Sequence, residues 1–281
     1  MRRAQIFDSL KAAAHRESSR QTRFTMHSVD DATPPDAKLI FFVRHGEGEH
    51  NVWRAAEKAV GRTPTAKRHN VGHFPASLHD PCLTTKGMAD AAAAAVAARS
   101  LPQPGLLVTS PMRRAVQTLL TTFEDAIGAG VPAIAHELCR EAFHGTDPSI
   151  YDSRLPKEAL AATYPPVDFA SHVLPPTPAA ADGSAPRIDD PLWWTCQSPF
   201  RPSSDHGIDE AAIAEHAYRF LQWLMARPEG VIAVATHSNF LLALYHACLD
   251  GCPQSPQVFY TGELRALTVS AAPVSPVLAV Q

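Results

Sequence analysis

Three segments place a histidine or a pair of arginines directly after a short apolar run. They are Arg44-His45-Gly46-Glu47 after Leu39 to Val43, Ser110-Pro111-Met112-Arg113-Arg114 after Leu106 to Thr109, and Thr236-His237-Ser238-Asn239 after Val231 to Ala235. With Glu141 just past a fourth run, Ala133 to Leu138, they supply the groups of a phosphate site. Arginines hold phosphoryl oxygens through charge-assisted bonds, and helix N-termini add backbone donors. One imidazole can attack phosphorus, while a carboxylic acid protonates the leaving alkoxide and later activates water. Glu141 is the best-placed acid, with Glu137 its competitor; Arg113 and Arg114 compete for the pocket, since one of two neighbours can be a surface charge.

These residues need elements to bring them together. Lys38 to Val43 reads as a buried strand, bounded by Pro34-Pro35 before it and a glycine motif after it. A helix is expected over about Gly48 to Val60, and a second one opens after Thr84 and runs through an alanine-rich stretch to Ser100. Leu106 to Thr109 then reads as strand, Pro111 to Ile127 as helix with Ser110 as its cap, and Ala133 to Leu138 as strand. Ile208 to Arg227 is a helix with an apolar face, Val231 to Ala235 a strand, Phe240 to Leu249 a buried helix and Leu264 to Val269 a last strand. Such alternation predicts an α/β three-layer sandwich, with a mostly parallel central sheet and helices on both faces. In that architecture ligands bind beyond the carboxyl ends of the strands, where all four segments lie.

The expected organisation is one domain over 37–275, an N-terminal extension over 1–36 that is helical or disordered, and a tail over 276–281. Two irregular stretches are expected near the site. One is a proline- and histidine-rich loop over 61–82; the other is a cap insertion over 142–206, proline-rich from Tyr164 to Pro202 and anchored by Leu192, Trp193 and Trp194.

The formal charge of −3 across 281 residues, with no basic face or lysine-rich tract, argues against nucleic-acid and membrane-surface partners. No apolar stretch approaches the roughly 18 to 20 residues of a bilayer span, and no signal peptide is evident, so a soluble cytoplasmic protein is expected. The arginines and serines of the extension suit an organelle transit peptide; Ile6, Leu10 and Ala13 suit an amphipathic surface helix equally well. The five cysteines, without CxxC spacing, suggest neither a disulfide framework nor a zinc site. His69 and His73 have the spacing of a helical ligand pair, but no HExxH glutamate accompanies them and prolines and glycine surround them. No metal site is expected, and some of the remaining histidines can line the substrate pocket.

The same motifs resemble the histidine phosphatase superfamily, which also contains the cofactor-dependent phosphoglycerate mutases. The likeness rests on Arg44-His45-Gly46 with Asn51, Leu83-Thr84 with Gly87, Arg114 with Gln117-Thr118, Glu141 before Gly145, and His237 with Asn239, and it runs from about Lys38 to Val269. Asp152-Ser153-Arg154, Asp190 to Trp193 and Arg219 to Leu224 are similar to a eukaryotic phosphoglycerate mutase-like branch whose members are often phosphatases. The resemblance implies that His45 is phosphorylated during turnover, that Arg44, Arg114 and His237 bind the phosphoryl group, and that Glu141 donates the proton. It favours Arg114 over Arg113 and Glu141 over Glu137, and implies that Asn51, Thr84, Ser238 and Asn239 contact substrate, with no metal or cofactor.

The reading is a phosphomonoesterase for a small phosphorylated metabolite, with a sugar or polyol phosphate as the expected substrate. Phosphoglycerate mutase-type transfer is the alternative, lowered by the long histidine-rich interval before Leu83 and by Phe143-His144-Gly145 standing where mutases carry a tyrosine-glycine pair. A non-catalytic phospho-ligand binder is the other rival, and the presence of both nucleophile and acid counts against it. The sequence leaves the oligomeric state open.

Overall fold

The computed structural model describes residues 22–27, 34–61, 75–141, 150–174, 210–253 and 257–273. Its sheet comprises β1 (Thr22–His27), β2 (Lys38–Arg44), β3 (Leu106–Thr109), β4 (Ala133–His136), β5 (Val167–His172), β6 (Val231–Thr236), β7 (Leu249–Asp250) and β8 (Leu264–Pro273). The spatial order is β5-β4-β3-β6-β2-β8-β1-β7. The run from β5 to β2 is parallel throughout, whereas β8 is antiparallel to both β2 and β1.

The helices are α1 (Glu49–Ala59), α2 (Thr85–Ala98), α3 (Arg113–Thr122), α4 (Glu124–Gly128), α5 (Lys157–Thr163), α6 (Glu210–Met225) and α7 (Ser238–Ala243). Strand residues alternate between two cores. Ile40, Phe42, Val108 and Val234 pack with α6 and α7, while Phe41, Val43, Leu107 and Ala235 pack with α3, α4 and α5. These are the expected three layers. Each fully buried Phe, Leu, Ile or Val contributes about 1.5 to 3 kcal/mol of transfer free energy, so the central strands are the most firmly held part of the frame.

The frame puts the motifs together through register. Leu39 to Arg44 pair with Val231 to Thr236, and Leu106 to Thr109 pair with Ile232 to Ala235, so β2, β6 and β3 end side by side. The backbone continues the alignment past the strands, with His45 N donating to Thr236 O at 2.9 Å and Ser110 N to Ala235 O at 3.0 Å.

Several boundaries differ from expectation. Residues 22–27, expected in a helical or disordered extension, form β1, because β8 runs on to Pro273 and offers an antiparallel edge from Thr268 onward. Residues 167–172, expected inside an irregular insertion, form β5, which completes the parallel edge beside β4 and buries Val167 and Phe169. The single helix expected from Pro111 to Ile127 breaks at Phe123 into α3 and α4. Its start is Met112, with Ser110 Oγ only a distant 3.5 Å acceptor for Met112 N, so Ser110 is not the cap. The buried helix over 240–249 begins at Ser238 and widens into a π turn over Leu244–Cys248. Of the two irregular stretches, 62–74, 142–149 and 175–209 lie outside the described residues, as do His69, His73, Trp193 and Trp194. Cys82, Cys139, Cys248 and Cys252 form no disulfide. Among the described residues no helix is long and apolar enough to cross a membrane.

Candidate active site

His45 is delivered by the end of β2 and is buried. Its Nδ1 lies 2.7 Å from Gly46 O. A carbonyl only accepts, so that contact assigns the proton to Nδ1 and leaves the lone pair on Nε2. The glycine is a steric requirement: a Cβ on Gly46 would come within 2.3 Å of Gly87 O, where the α2 start crosses the motif. Gly46 N also donates to Thr118 Oγ1 at 3.0 Å, which ties the turn to α3. Burial, reinforced by the charges of Arg114 and Arg44, holds the imidazole well below its usual range, so it is neutral at pH 7.

His237 follows β6 and meets His45 edge-on, with ring centroids 5.1 Å apart. Its Nε2 is 2.8 Å from Ser110 Oγ. Burial and Arg114 depress its pKa as well. Its Nδ1 is a buried atom without a hydrogen-bond partner.

Arg114 and Arg113 separate cleanly. Arg113 folds back on the chain, with Nε donating to Asp80 O and Nη2 to His79 O. Arg114 is buried beside the histidines, its Nη1 donating to Tyr151 O at 2.6 Å and its Nη2 to Asp152 Oδ1 at 3.2 Å, while its buried Nε has no partner. Arg44 is half-buried, and its Nη1 donates to Phe259 O at 2.7 Å.

The two glutamates separate in the same way. Glu137 is buried between Arg140 at 3.1 Å and Arg154 at 2.9 Å, a closed ion-pair network. Glu141 Oε1 instead accepts the backbone N–H groups of Asn239 and Phe240, each at 3.2 Å, which brings the carboxylate to the first turn of α7 beside His237. Asp152 pairs with Arg114 at 3.2 Å, and Arg154 pairs with Glu137. Burial pushes the Asp152 carboxyl up to about 6 against the pull of Arg114.

The four residues expected to contact substrate fare unequally. Asn51 Oδ1 accepts Gly48 N at 2.9 Å and so caps α1. The Thr84 hydroxyl accepts Gly87 N at 3.0 Å and donates to Glu47 Oε1 at 2.9 Å. Thr84 is therefore a helix cap tied to the first motif. Ser238 and Asn239 open α7, next to Glu141. Gln117 is a brace, its Oε1 accepting Leu83 N at 2.8 Å.

Sequence reasoning missed the wall beside His45. The His50 ring is buried, 5.6 Å from that of His45, and stacks on Tyr151 at 5.4 Å. Arg54, one helical turn further along α1, lies over the same Tyr151 ring. The i, i+4 spacing of His50 and Arg54 was the available signal. Among the described residues no three His, Cys, Asp or Glu side chains are grouped so as to hold a metal ion.

This geometry coincides with a family match: residues 40–158 fit the family model of the histidine phosphatase superfamily (branch 1). Over that stretch the chain is similar to that superfamily. A phosphoglycerate mutase-like protein of Arabidopsis thaliana is 26% identical over 262 residues, covering 83% of this chain and 84% of its own. Among solved structures, a phosphoserine phosphatase from Entamoeba histolytica, in complex with 3-phosphoglyceric acid, is 13% identical with a TM-score of 0.43, over 81% of this chain and 89% of its own. A mycobacterial glucosyl-3-phosphoglycerate phosphatase is 17% identical with a TM-score of 0.39, over 74% of this chain and 78% of its own.

Proposed function

We propose that this protein is a phosphomonoesterase that hydrolyses a small phosphorylated metabolite, a sugar or polyol phosphate, through a phosphohistidine at His45 and without a metal. The observation that carries the reading is the fixed tautomer of His45: a neutral Nε2 lone pair between Arg44, Arg114 and His237, backed by the Nδ1 contact with Gly46 O. A histidine kept only for packing would have no need of two flanking arginines.

In the first step Nε2 attacks phosphorus, the P–O ester bond breaks, and Glu141 gives its proton to the departing alkoxide. In the second step the Glu141 carboxylate takes a proton from water, the water oxygen attacks phosphorus, and the P–N bond breaks to release inorganic phosphate. Arg44 and Arg114 neutralise the phosphoryl oxygens, and His237 donates from Nδ1. A phosphoryl oxygen would satisfy the buried His237 Nδ1 and Arg114 Nε, each of which otherwise costs about 1 to 3 kcal/mol. Asn51, Ser238 and Asn239 complete the binding set, and the site requires no cofactor.

The test is phosphate release from a panel of sugar, polyol, amino-acid and aryl phosphates, phosphoprotein and phytate, with and without chelator. Hydrolysis led by small metabolite esters and unaffected by chelator is expected. Preference for phosphoprotein or phytate would overturn the substrate class, and transfer that depends on added bisphosphoglycerate, with little hydrolysis, would replace the phosphatase reading with a mutase.

A further inference from the structure

Arg44 meets a segment, residues 257–263, that lies in neither helix nor strand and leads into β8. The bonds between the two converge on the first motif. Arg44 N donates to Glu263 O at 3.1 Å, and Gly262 N donates to Arg44 O at 3.1 Å and to His45 O at 3.3 Å. These hold backbone to backbone. The guanidinium is reached by Phe259, whose carbonyl accepts Arg44 Nη1 at 2.7 Å. The direction of the Arg44 fork therefore depends on where the Phe259 carbonyl stands.

That carbonyl is held in turn by Arg265, the second residue of β8, whose Cα pairs with Phe42 of β2, two residues before Arg44. The Arg265 guanidinium reaches along the whole segment: Nη1 donates to Gln257 Oε1 at 3.1 Å, Nη2 to Val258 O at 2.8 Å and Nε to Glu263 Oε1 at 2.7 Å. Its Cζ lies 4.1 Å from the centroid of the buried Phe259 ring, a cation–π contact. One side chain thus grips residues 257, 258, 259 and 263. Supporting contacts come from the π turn, where His246 Nε2 accepts Gln257 N at 2.8 Å and the Tyr245 ring meets that of Phe259 edge-on at 5.6 Å. Arginine suits the place because its planar fork presents donors in fixed directions and its face stacks on an aromatic ring, which an ammonium cannot do together.

We propose that Arg265 is a positioning residue for phosphoryl binding: it acts by fixing the Phe259 carbonyl, which orients the Arg44 guanidinium. The proposal rests on the reading of Arg44 as a phosphoryl-binding group and adds the residue through which that group is aimed. Arginine–phosphate pairing is directional, and a misplacement of about 1 Å in a group that positions substrate can cost about 10²-fold in rate. An arginine that only stabilised the end of β8 would have no special dependence on Arg44.

The test is a double-mutant cycle on the full chain that combines Arg265→Met with Arg44→Ala and reads kcat/KM for p-nitrophenyl phosphate alongside the melting temperature. Arg265→Met should lower kcat/KM about tenfold when Arg44 is present. In the Arg44→Ala background, which has no guanidinium to aim, the same change should cost about twofold or less, while its effect on melting temperature stays the same. Arg265→Lys keeps the charge beside Glu263 and replaces Arg265→Met if that variant does not fold; its loss should be about threefold and again confined to the chain that retains Arg44. Equal losses of kcat/KM in both backgrounds would overturn the proposal and mark a structural arginine. No loss in either, with wild type active, would overturn it too. A wild type that binds inorganic phosphate in calorimetry without hydrolysing the ester would fail the phosphatase reading alone, and the cycle read on phosphate affinity should then show the same dependence on Arg44. Neither binding nor hydrolysis would overturn the phosphate-site reading and this inference with it.

Discussion

Glu137 and Glu141 are four residues apart, yet they belong to different kinds of region. Glu137 lies in a closed network in which every strong acceptor position faces a donor from the same chain: Arg140, Arg154 and Leu174 N. Glu141 lies in an open cluster at the strand ends, held by backbone donors of α7 beside a neutral histidine. Arg113 and Arg114 repeat the contrast, one anchored to the carbonyls of His79 and Asp80, the other turned to the histidines with a buried nitrogen to spare. Burial and charge are common to both regions. What distinguishes the open one is its place at the strand ends beside His45, where Arg114 Nε and His237 Nδ1 have no hydrogen-bond partner.

The comparison predicts a double dissociation. Glu141→Gln should lower kcat for an alkyl phosphate by about 10²- to 10⁴-fold with little change in stability, because it removes the proton donor. Glu137→Gln should cost about 3 to 5 kcal/mol in chemical denaturation, because it leaves buried arginines uncompensated, while the folded fraction keeps its turnover. Exchanged outcomes would mean that the wrong glutamate has been placed in the site.

Next in size is Gly46→Ala. Because the added Cβ would meet Gly87 O at 2.3 Å, backbone must move, and we expect a loss of about 1 to 3 kcal/mol together with most of the activity. Unchanged denaturation and kinetics would show that the approach of the two glycines does not position His45.

A smaller effect sharpens the role of Asp152. In wild type its carboxylate holds Arg114, and with a pKa near 6 that ion pair is lost as pH falls through this value, so kcat/KM for an aryl phosphate should fall on the acid side. Asp152→Asn should sit about tenfold lower at pH 7.5, the scale of one charge-assisted contact, and should lack the limb near pH 6.

The smallest effect concerns a second histidine pair, His136 and His172, whose rings stack at 4.6 Å against Trp223 at the β4–β5 edge. Here burial, with a contribution from His172, lowers His136 to about 3, and no arginine is among the causes. Between pH 6.5 and 3 the unfolded chain binds a proton that folded His136 does not, so its contribution is complete above pH 6.5 and is lost as pH falls. The destabilisation caused by His136→Gln should therefore shrink on acidification, by up to about 1.4 kcal/mol per pH unit. A constant difference across that range would contradict the buried neutral form.

The same physics explains what was legible in the sequence. β2, β3 and β6 are runs of consecutive apolar residues buried on both faces, and the candidate groups follow them directly, so the frame and the placement of those groups at its strand ends were readable. β5, Val-Asp-Phe-Ala-Ser-His, is an edge strand exposed along half its length and sits among prolines, so its pattern is faint. β1 depends on pairing with residues more than 240 positions away, which no local pattern encodes. The hydroxyl of Thr84 was legible as a helix cap, but its engagement with Glu47 depends on two distant segments meeting. The i, i+4 spacing puts Arg54 on one helix face with His50, but its reach to the Tyr151 ring depends on a segment distant in sequence.

The central claim, that His45 is the nucleophile, is tested most directly by rapid-quench incubation with an aryl phosphate, followed by detection of acid-labile phosphohistidine in wild type and His45→Ala. The account predicts an adduct on His45 that forms and decays within the turnover time, in chelator, and is missing from His45→Ala along with activity. Turnover that persists in His45→Ala, or an adduct mapped to another residue, would contradict it.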